Sequence, residues 1–179
     1  MSSPYTEQNT HSALPNTSHD ELSRQHFVRS FKEHIVESLH PGLKLAYEKR
    51  ARPQYVSKHQ REPETIQEVG EVMKKDPHYQ AWSSLLRTSQ EMMWSSTQIP
   101  VERAIVDLAA QSADNTLGSL TLNPNLEIPS YHTAVDIHCQ PGGYHTEYID
   151  GDVAQGAIYD RAVYPVSYTH LRAHETIAN

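Results

Sequence analysis

The chain has 179 residues, a net charge of -7 with histidine counted as neutral, and 37% hydrophobic residues. This acidic balance argues against general nucleic-acid binding, which needs a basic surface, and against docking on anionic lipid. A single cysteine, Cys139, rules out an intramolecular disulfide, and no apolar run approaches the ~20 residues that cross a bilayer. These features are typical of a soluble cytoplasmic protein in a reducing compartment.

The N-terminal third begins with a polar segment and continues into a helix. Residues 1–18 are rich in Ser, Thr, Asn and Pro, which predicts disorder. A helix is predicted next, with Ser18 or Asp20 as its cap and "HPG" at its end. Its predicted apolar face comprises Phe27, Phe31, Ile35 and Leu39, with Val28 and Val36 beside them.

Four prolines divide the middle of the chain into predicted segments. "LKLAYEKRA" is expected to stop before Pro53, because the residue before a proline avoids the helical region. A helix is predicted from Pro63, in its first turn, to an exit marked by Pro77. The strongest helical pattern follows, and a further helix is predicted to start at Pro100. The Met and Trp stripe "WSSLLRTSQEMMW" has helical spacing and is predicted to be core.

The last part of the chain is predicted to hold turns, one short strand and one helix. The segment from Asp114 to Pro129 is turn-rich, and "HTAVDIHC" alternates like a strand around residue 135. "QPGGYHTEYIDGD" is predicted to be a loop, and "DVAQGAIYDRAVY" a helix capped by Asp152. The predicted apolar face of this helix comprises Val153, Ala154, Ala157, Ile158 and Tyr164. The predicted fold is therefore mainly α with a short strand, divided into a helical region at 19–113 and a loop, strand and helix at 114–164.

The densest set of reactive side chains lies in "YHTAVDIHCQPGGYHTEY". Its members are His132, Asp136, His138, Cys139, His145 and Glu147. Side chains two apart on a strand share a face, so a His/carboxylate metal site is one interpretation. The other, which we favour because the chain holds twelve histidines, is that these groups hydrogen-bond the loop to its neighbours. Cys139 is interpreted as a small buried hydrophobe and not as a nucleophile.

Several familiar motifs are absent from the sequence. The seven glycines form neither G-x-G-x-x-G nor G-x-x-x-x-G-K, and no H-E-x-x-H or G-x-S-x-G is present. The residues alone therefore give no nucleotide-binding loop and no complete active site.

Three stretches together carry a resemblance to a known family. They are "WSSLLRTSQEMMW", "YHTAVDIHCQPGGYHTEY" and "DVAQGAIYDRAVY". They resemble the N-terminal region of a group of bacterial class I S-adenosylmethionine-dependent methyltransferases, in which a helical lead-in runs into a "DIH-x-x-PG-x-Y" loop and a "G-A-x-Y-D-R" helix. The resemblance covers roughly Phe27 to Tyr164.

The resemblance implies a parent enzyme with an α/β Rossmann-like domain that binds S-adenosylmethionine after this region and methylates a small molecule. This chain departs from the family because the acidic and glycine-rich cofactor motif is missing. No cofactor binding is therefore expected for the chain alone. By analogy, the polar loop contacts the substrate or acts as a lid, and its candidate residues are His138, Tyr144, His145, Glu147 and Tyr148. A small metal-dependent protein, and a helical interaction module that exposes the tryptophan face, remain as alternatives.

The C-terminal segment, residues 166–179, departs from the rest of the chain. "VSYTHLRAHET" looks like the translation of a transposase-based sequencing-library adapter, whose codons spell Val166 through Glu175 and begin Thr176. We therefore expect the natural part of this chain to end at Tyr164, with the chain truncated before the cofactor domain of its parent protein. His170, His174 and Glu175 are accordingly left out of the candidate site.

Overall fold

The computed structural model describes residues 14–114, 121, 123–134, 139–142 and 146–163. In these ranges the protein is mainly α-helical, as predicted, and contains no β-strand. The α-helices are α1 (His19–His34), α2 (Gly42–Ala46), α3 (Arg52–His59), α4 (Ile66–Met73), α5 (Pro77–Asp114), α6 (Ser130–Ala134) and α7 (Ala154–Arg161). Two π-helical segments, Ile35–Leu39 and Tyr47–Ala51, follow α1 and α2. None of the helices in this part of the chain is long and apolar enough to span a membrane.

The chain divides into two compact units. The first combines Met1–Arg29 with Gln90–Asn179, and the second is Ser30–Ser89. Each has its own small hydrophobic core.

The core of the second unit is formed by α2, the π-helical segment after it, and α4. Its buried members are Ala46, Ala51 and Met73, and Leu43, Tyr47, Val69, Val72 and Tyr79 pack against them. The prediction that the helical run stops before Pro53 is wrong. The helix α3 begins at Arg52, and Pro53 falls in its first turn, where a missing N–H costs little.

The start of α4 is fixed by a capping box, and this corrects the predicted role of Pro63. The Thr65 hydroxyl accepts a hydrogen bond from the Glu68 N–H at 3.2 Å, and the Glu68 carboxylate accepts one from the Thr65 N–H at 3.3 Å. The helix therefore starts at Ile66. Pro63 lies before the helix and not in its first turn.

Asp76 fixes the start of α5. Its Oδ1 accepts a hydrogen bond from the His78 N–H at 2.9 Å, and its two oxygens accept from Arg50 at 2.7 and 2.9 Å. The Arg50 guanidinium lowers the pKa of Asp76 to about 2. Pro77 follows the end of the preceding helix, as predicted, and is the first residue of α5.

The core of the first unit joins α1, α5 and α7. Its buried members are Val28, Met93, Trp94, Val101, Leu108, Ala154, Ala157, Ile158 and Ala162. The predicted burial of the Met and Trp stripe is confirmed at Met93 and Trp94 but is wrong at Leu86, which is 38% exposed. The predicted buried face of α7 is confirmed at Ala154, Ala157 and Ile158.

The predicted apolar face of the first helix is confirmed at Val28 and Ile35, which are buried, but not at Phe27. Phe27 is 60% exposed, whereas Glu21, Gln25 and Val28 are buried. Both polar residues can be buried because each has partners, Arg103 for Glu21 and Arg161 for Gln25. The cap predicted at Ser18 is confirmed, since Ser18 Oγ accepts from the Glu21 N–H at 3.3 Å.

Pro100 lies inside α5 and does not start a new helix. A proline within a helix leaves the carbonyl four residues earlier, here that of Ser96, without its N–H donor. The Gln25 side chain replaces that donor, because its Nε2 donates to the Ser96 carbonyl at 3.0 Å. The helix therefore continues through a fully buried proline.

The predicted strand around residue 135 is wrong at its first residues. His132 and Ala134 belong to α6, which begins directly after Pro129, and the His132 N–H donates to the Pro129 carbonyl at 2.9 Å. The alternating pattern is too short to impose an extended backbone, and a proline at this point is compatible with a helical turn. Positions 135–138 lie outside the described residues, as do 1–13 and 164–179.

Candidate functional site

The candidate substrate loop is attached to α5 through Tyr148. The Gln98 Nε2 donates to the Tyr148 hydroxyl at 3.3 Å and to Glu102 Oε1 at 2.5 Å. Burial and a hydrogen bond to Glu102 raise the pKa of Tyr148 above its ordinary value. Tyr148 is 40% exposed, so its hydroxyl is held in position while the ring remains accessible.

The other predicted loop residues are less constrained or are not described. Glu147, next to Tyr148, is exposed. His138, Tyr144 and His145 lie outside the described residues. The structure therefore locates two of the five predicted substrate or lid residues.

Asp152 organises the junction between this loop and α7. Its Oδ2 accepts from the N–H groups of Tyr148 and Ile149 at 2.6 and 2.7 Å, and its Oδ1 accepts from the Ala154 N–H at 2.8 Å. Burial acts to raise the pKa of this carboxyl, but the three backbone donors outweigh it and lower the pKa below its ordinary value. The predicted capping role of Asp152 is confirmed, and the same carboxylate fixes the direction of Tyr148.

The segment Cys139–Gly142 packs on α7 through a pair of amides. The Gln140 Nε2 donates to the Gln155 backbone carbonyl at 3.1 Å and to Gln155 Oε1 at 2.8 Å. Two residues of this short segment have left-handed backbone angles, Cys139 at φ 57° and Gly142 at φ 79°. Such an angle is unusual for a non-glycine residue and marks Cys139 as a strained position.

A buried polar network lies beneath α7. Arg161, 8% exposed, donates to Gln25 Oε1 from Nη2 at 2.9 Å and from Nε at 3.1 Å, and to Thr17 Oγ1 at 3.3 Å. Gln25 Nε2 also donates to the Ser96 carbonyl, so one amide links α1, α5 and α7. Burial lowers the pKa of the Arg161 guanidinium below its ordinary value.

An ion pair between Arg103 and Glu21 lies at the N-terminal end of α1. Both guanidinium ends of Arg103 donate to the Glu21 carboxylate, one of them at 2.9 Å, and Nη2 also donates to the Asn16 carbonyl at 2.7 Å. The hydrogen bond from Arg103 is the main reason that the pKa of Glu21 falls to about 2. These contacts fix the chain from Asn16 onward against α5.

An apolar groove of about 550 Å³ lies between α1 and α5 of the first unit. Its lining residues are Ser23, Arg24, Phe27, Val28, Glu91, Met92, Ser95, Ser96 and Ile99. Small-molecule sites fall in the range of about 300–1,000 Å³. Trp94 is buried, as predicted, with its ring stacked on Tyr159 at a centroid distance of 6.4 Å. The alternative of an interaction module would require its face to be exposed.

No group of three or more metal-ligating side chains occurs within the described ranges. His132 and Glu147 are exposed and Cys139 is half-buried, while Asp136, His138 and His145 lie outside those ranges. The structure thus brings together none of the described members of the predicted metal set.

The residues that organise this unit were missed at the sequence level. Gln25, Gln140 and Gln155 do not titrate and belong to no catalytic motif. One usable signal was Pro100, because a proline inside a helix implies an unpaired carbonyl that needs a hydrogen-bond donor from a side chain.

Comparison of the chain with family models, with curated proteins and with solved structures finds no match.

Proposed function

We propose that this chain is the helical, substrate-side region of a bacterial class I S-adenosylmethionine-dependent methyltransferase that methylates a small molecule. The supporting observation is the shared core of the first unit. Trp94, Cys139 and α7 belong to the three stretches that carry the resemblance, and all three contribute to that core. Stretches that lie far apart in the sequence thus pack as one unit.

The proposed role of this unit is to position the acceptor substrate. Tyr148 and Glu147 form its accessible polar edge, and Gln98, Glu102 and Asp152 hold Tyr148 in place. Holding the acceptor in line with the methyl donor is the main contribution expected from such a region. A neutral or cationic small molecule suits the acidic chain better than nucleic acid does, and the proposed location is the cytoplasm.

The cofactor does not fit the residues described here. S-adenosylmethionine sites in this fold class use a strand that ends in a glycine-rich turn, and the described ranges contain no strand. In the proposed enzyme, S-adenosylmethionine supplies the methyl group from the α/β domain. No step of the reaction is assigned to residues of this chain beyond substrate positioning.

Isothermal titration calorimetry of S-adenosylmethionine tests the proposal. The full-length gene product is expected to bind it with micromolar affinity, whereas residues 1–164 are expected to release no binding heat. Micromolar binding to residues 1–164, or none to the full-length product, would contradict the proposal.

A substitution in the full-length enzyme tests the role of the loop. Tyr148→Phe is expected to raise KM for the acceptor, measured as transfer of labelled methyl to a small-molecule cell extract, without changing S-adenosylmethionine affinity. Tyr131→Phe is the matched control, because Tyr131 is 76% exposed on α6. Equal effects of the two substitutions would remove Tyr148 from the site.

A further inference from the structure

We propose that Gln140 and Gln155 form a recognition site for a neutral ligand group that both donates and accepts a hydrogen bond, a hydroxyl or a carboxamide. The starting observation is two buried atoms without a partner, Gln140 Oε1 and Gln155 Nε2. Gln140 is 1% exposed, and its amide contacts Gln155 from the other side, through Nε2. One acceptor and one donor are therefore left over in the same amide pair.

Reversing either amide does not remove the unpaired atoms. If the Gln140 amide were turned over, its oxygen would face two acceptors, the backbone carbonyl and Oε1 of Gln155. If the Gln155 amide were turned over, its NH₂ would face the NH₂ of Gln140. The observed orientation is thus the one that hydrogen bonding selects. Buried polar side chains in folded proteins nearly always have a partner, so the two atoms point to an absent one.

The chemistry of the two atoms defines the class of ligand group. A partner must donate to Gln140 Oε1 and accept from Gln155 Nε2. A carboxylate only accepts and an ammonium only donates, whereas a hydroxyl or a carboxamide does both. The site therefore selects neutral polar groups over both kinds of charged group.

Gly142 lies directly against the amide pair. A Cβ atom on Gly142 would lie 2.3 Å from Gln155 Nε2, so a larger residue at this position would collide with the amide. Gly142 also has φ 79°, a conformation that favours glycine.

Assigning the bound group to the methyl acceptor rests on the proposed function, but the binding itself does not. If the full-length product fails to bind S-adenosylmethionine, the proposed function is lost while the result of the binding experiment below is unaffected. The two ideas can therefore fail separately.

The test is an NMR titration of the isotopically labelled 179-residue chain, in which the side-chain amide resonances of Gln140 and Gln155 are observed. The three probes are acetamide, acetate and methylammonium. Acetamide is expected to shift both pairs of resonances saturably, and acetate and methylammonium are expected to shift neither. Gln140→Met and Gln155→Met are each expected to weaken acetamide binding by about tenfold or more, as the loss of roughly one hydrogen bond predicts.

Gln60→Met is the matched control. Gln60 is an exposed glutamine whose Nε2 donates to the Ser57 carbonyl at 2.8 Å, so its substitution is expected to leave acetamide binding unchanged. Circular dichroism of each variant separates loss of binding from loss of folding. The proposal is overturned if acetate shifts the two glutamines as strongly as acetamide, or if acetamide gives no saturable shift in the folded wild-type chain.

Discussion

Gln25→Leu provides the sharpest test of how the first unit is held together. The substitution keeps a side chain of similar size but removes both hydrogen-bonding atoms of the amide. The Ser96 carbonyl then has no donor, because Pro100 lacks an N–H, and the Nε and Nη2 bonds from Arg161 lose their acceptor. Two polar groups are left buried by a single change.

The expected loss of stability follows from those two groups. An unpaired buried carbonyl costs about 1–3 kcal/mol, and a lost hydrogen bond to a charged group costs about 1.5–3 kcal/mol. We therefore expect Gln25→Leu to lower the free energy of unfolding by about 3–5 kcal/mol, a large part of the roughly 5–15 kcal/mol of a typical domain.

A second substitution isolates the carbonyl. Pro100→Ala introduces a backbone N–H that reaches the Ser96 carbonyl. In the Gln25→Leu background it is expected to recover about 1–2 kcal/mol more than it gains in the wild-type background. Urea unfolding followed by circular dichroism gives the four free energies of this double-mutant cycle.

The control is Gln80→Leu, which removes an exposed amide that donates to the Lys74 carbonyl at 2.9 Å and is expected to cost within about 0.5 kcal/mol. If Gln25→Leu costs no more than this control, the buried network contributes nothing and the explanation of the proline inside α5 is refuted. Additive free energies in the cycle would refute the specific link between Gln25 and Pro100.

Three further predictions concern the two units. Gly42→Ala should destabilise the chain by about 1–3 kcal/mol, because the new Cβ would lie 2.5 Å from His78 Nε2. Gly70→Ala, in a helix with open space around the position, should stabilise it by about 0.5–1 kcal/mol. Shifts of the thermal unfolding midpoint in the same direction for both variants would contradict this packing. Thr65→Ala should lower the free energy of unfolding by about 1 kcal/mol through loss of the capping box, whereas Thr65→Ser should retain most of that stability. Equal urea unfolding midpoints for the two variants would argue against the capping box. Because the pKa of Glu21 falls from 4.5 to about 2 in the folded chain, its contribution is present above pH 4.5 and is lost as the pH falls toward 2. Glu21→Gln should therefore flatten the acid dependence of stability in that window, and an unchanged pH profile would show that the pairing does not matter.

The sequence predicted the type of most elements because apolar spacing and capping residues act locally. The cap at Ser18, the role of Asp152 and the buried face of α7 each depend on residues within a few positions of one another, and all three are confirmed. The boundaries at prolines were predicted less well. Pro53 falls inside a helical run, Pro63 lies before a helix, and Pro100 lies within one.

The reason for the failure at Pro100 is tertiary. Local sequence rules treat a proline as a helix boundary. A side chain from a distant helix can, however, donate a hydrogen bond to the carbonyl that the proline leaves unpaired. The donor here, Gln25, is 71 residues away from Ser96. The same interaction explains why the burial of Gln25 was not predicted, since its partners lie far from it in the sequence.

The candidate site was only partly predictable. The sequence indicated the polar loop, and the structure places Tyr148 against α5 and Asp152. The amide pair of Gln140 and Gln155 carried no signal, because glutamines are common, neutral and absent from catalytic motifs. Their importance comes from burial and from the atoms left unpaired, which are properties of the folded chain.

The most direct test of the central claim is the genomic DNA sequence read through and beyond codon 164. Our interpretation predicts that the natural frame continues from Tyr164 into a strand followed by an acidic and glycine-rich cofactor motif, and that the adapter-like codons at 166–176 are absent from the genome. A genomic frame that encodes "VSYTHLRAHET", or one that continues without such a motif, would contradict the assignment to a methyltransferase.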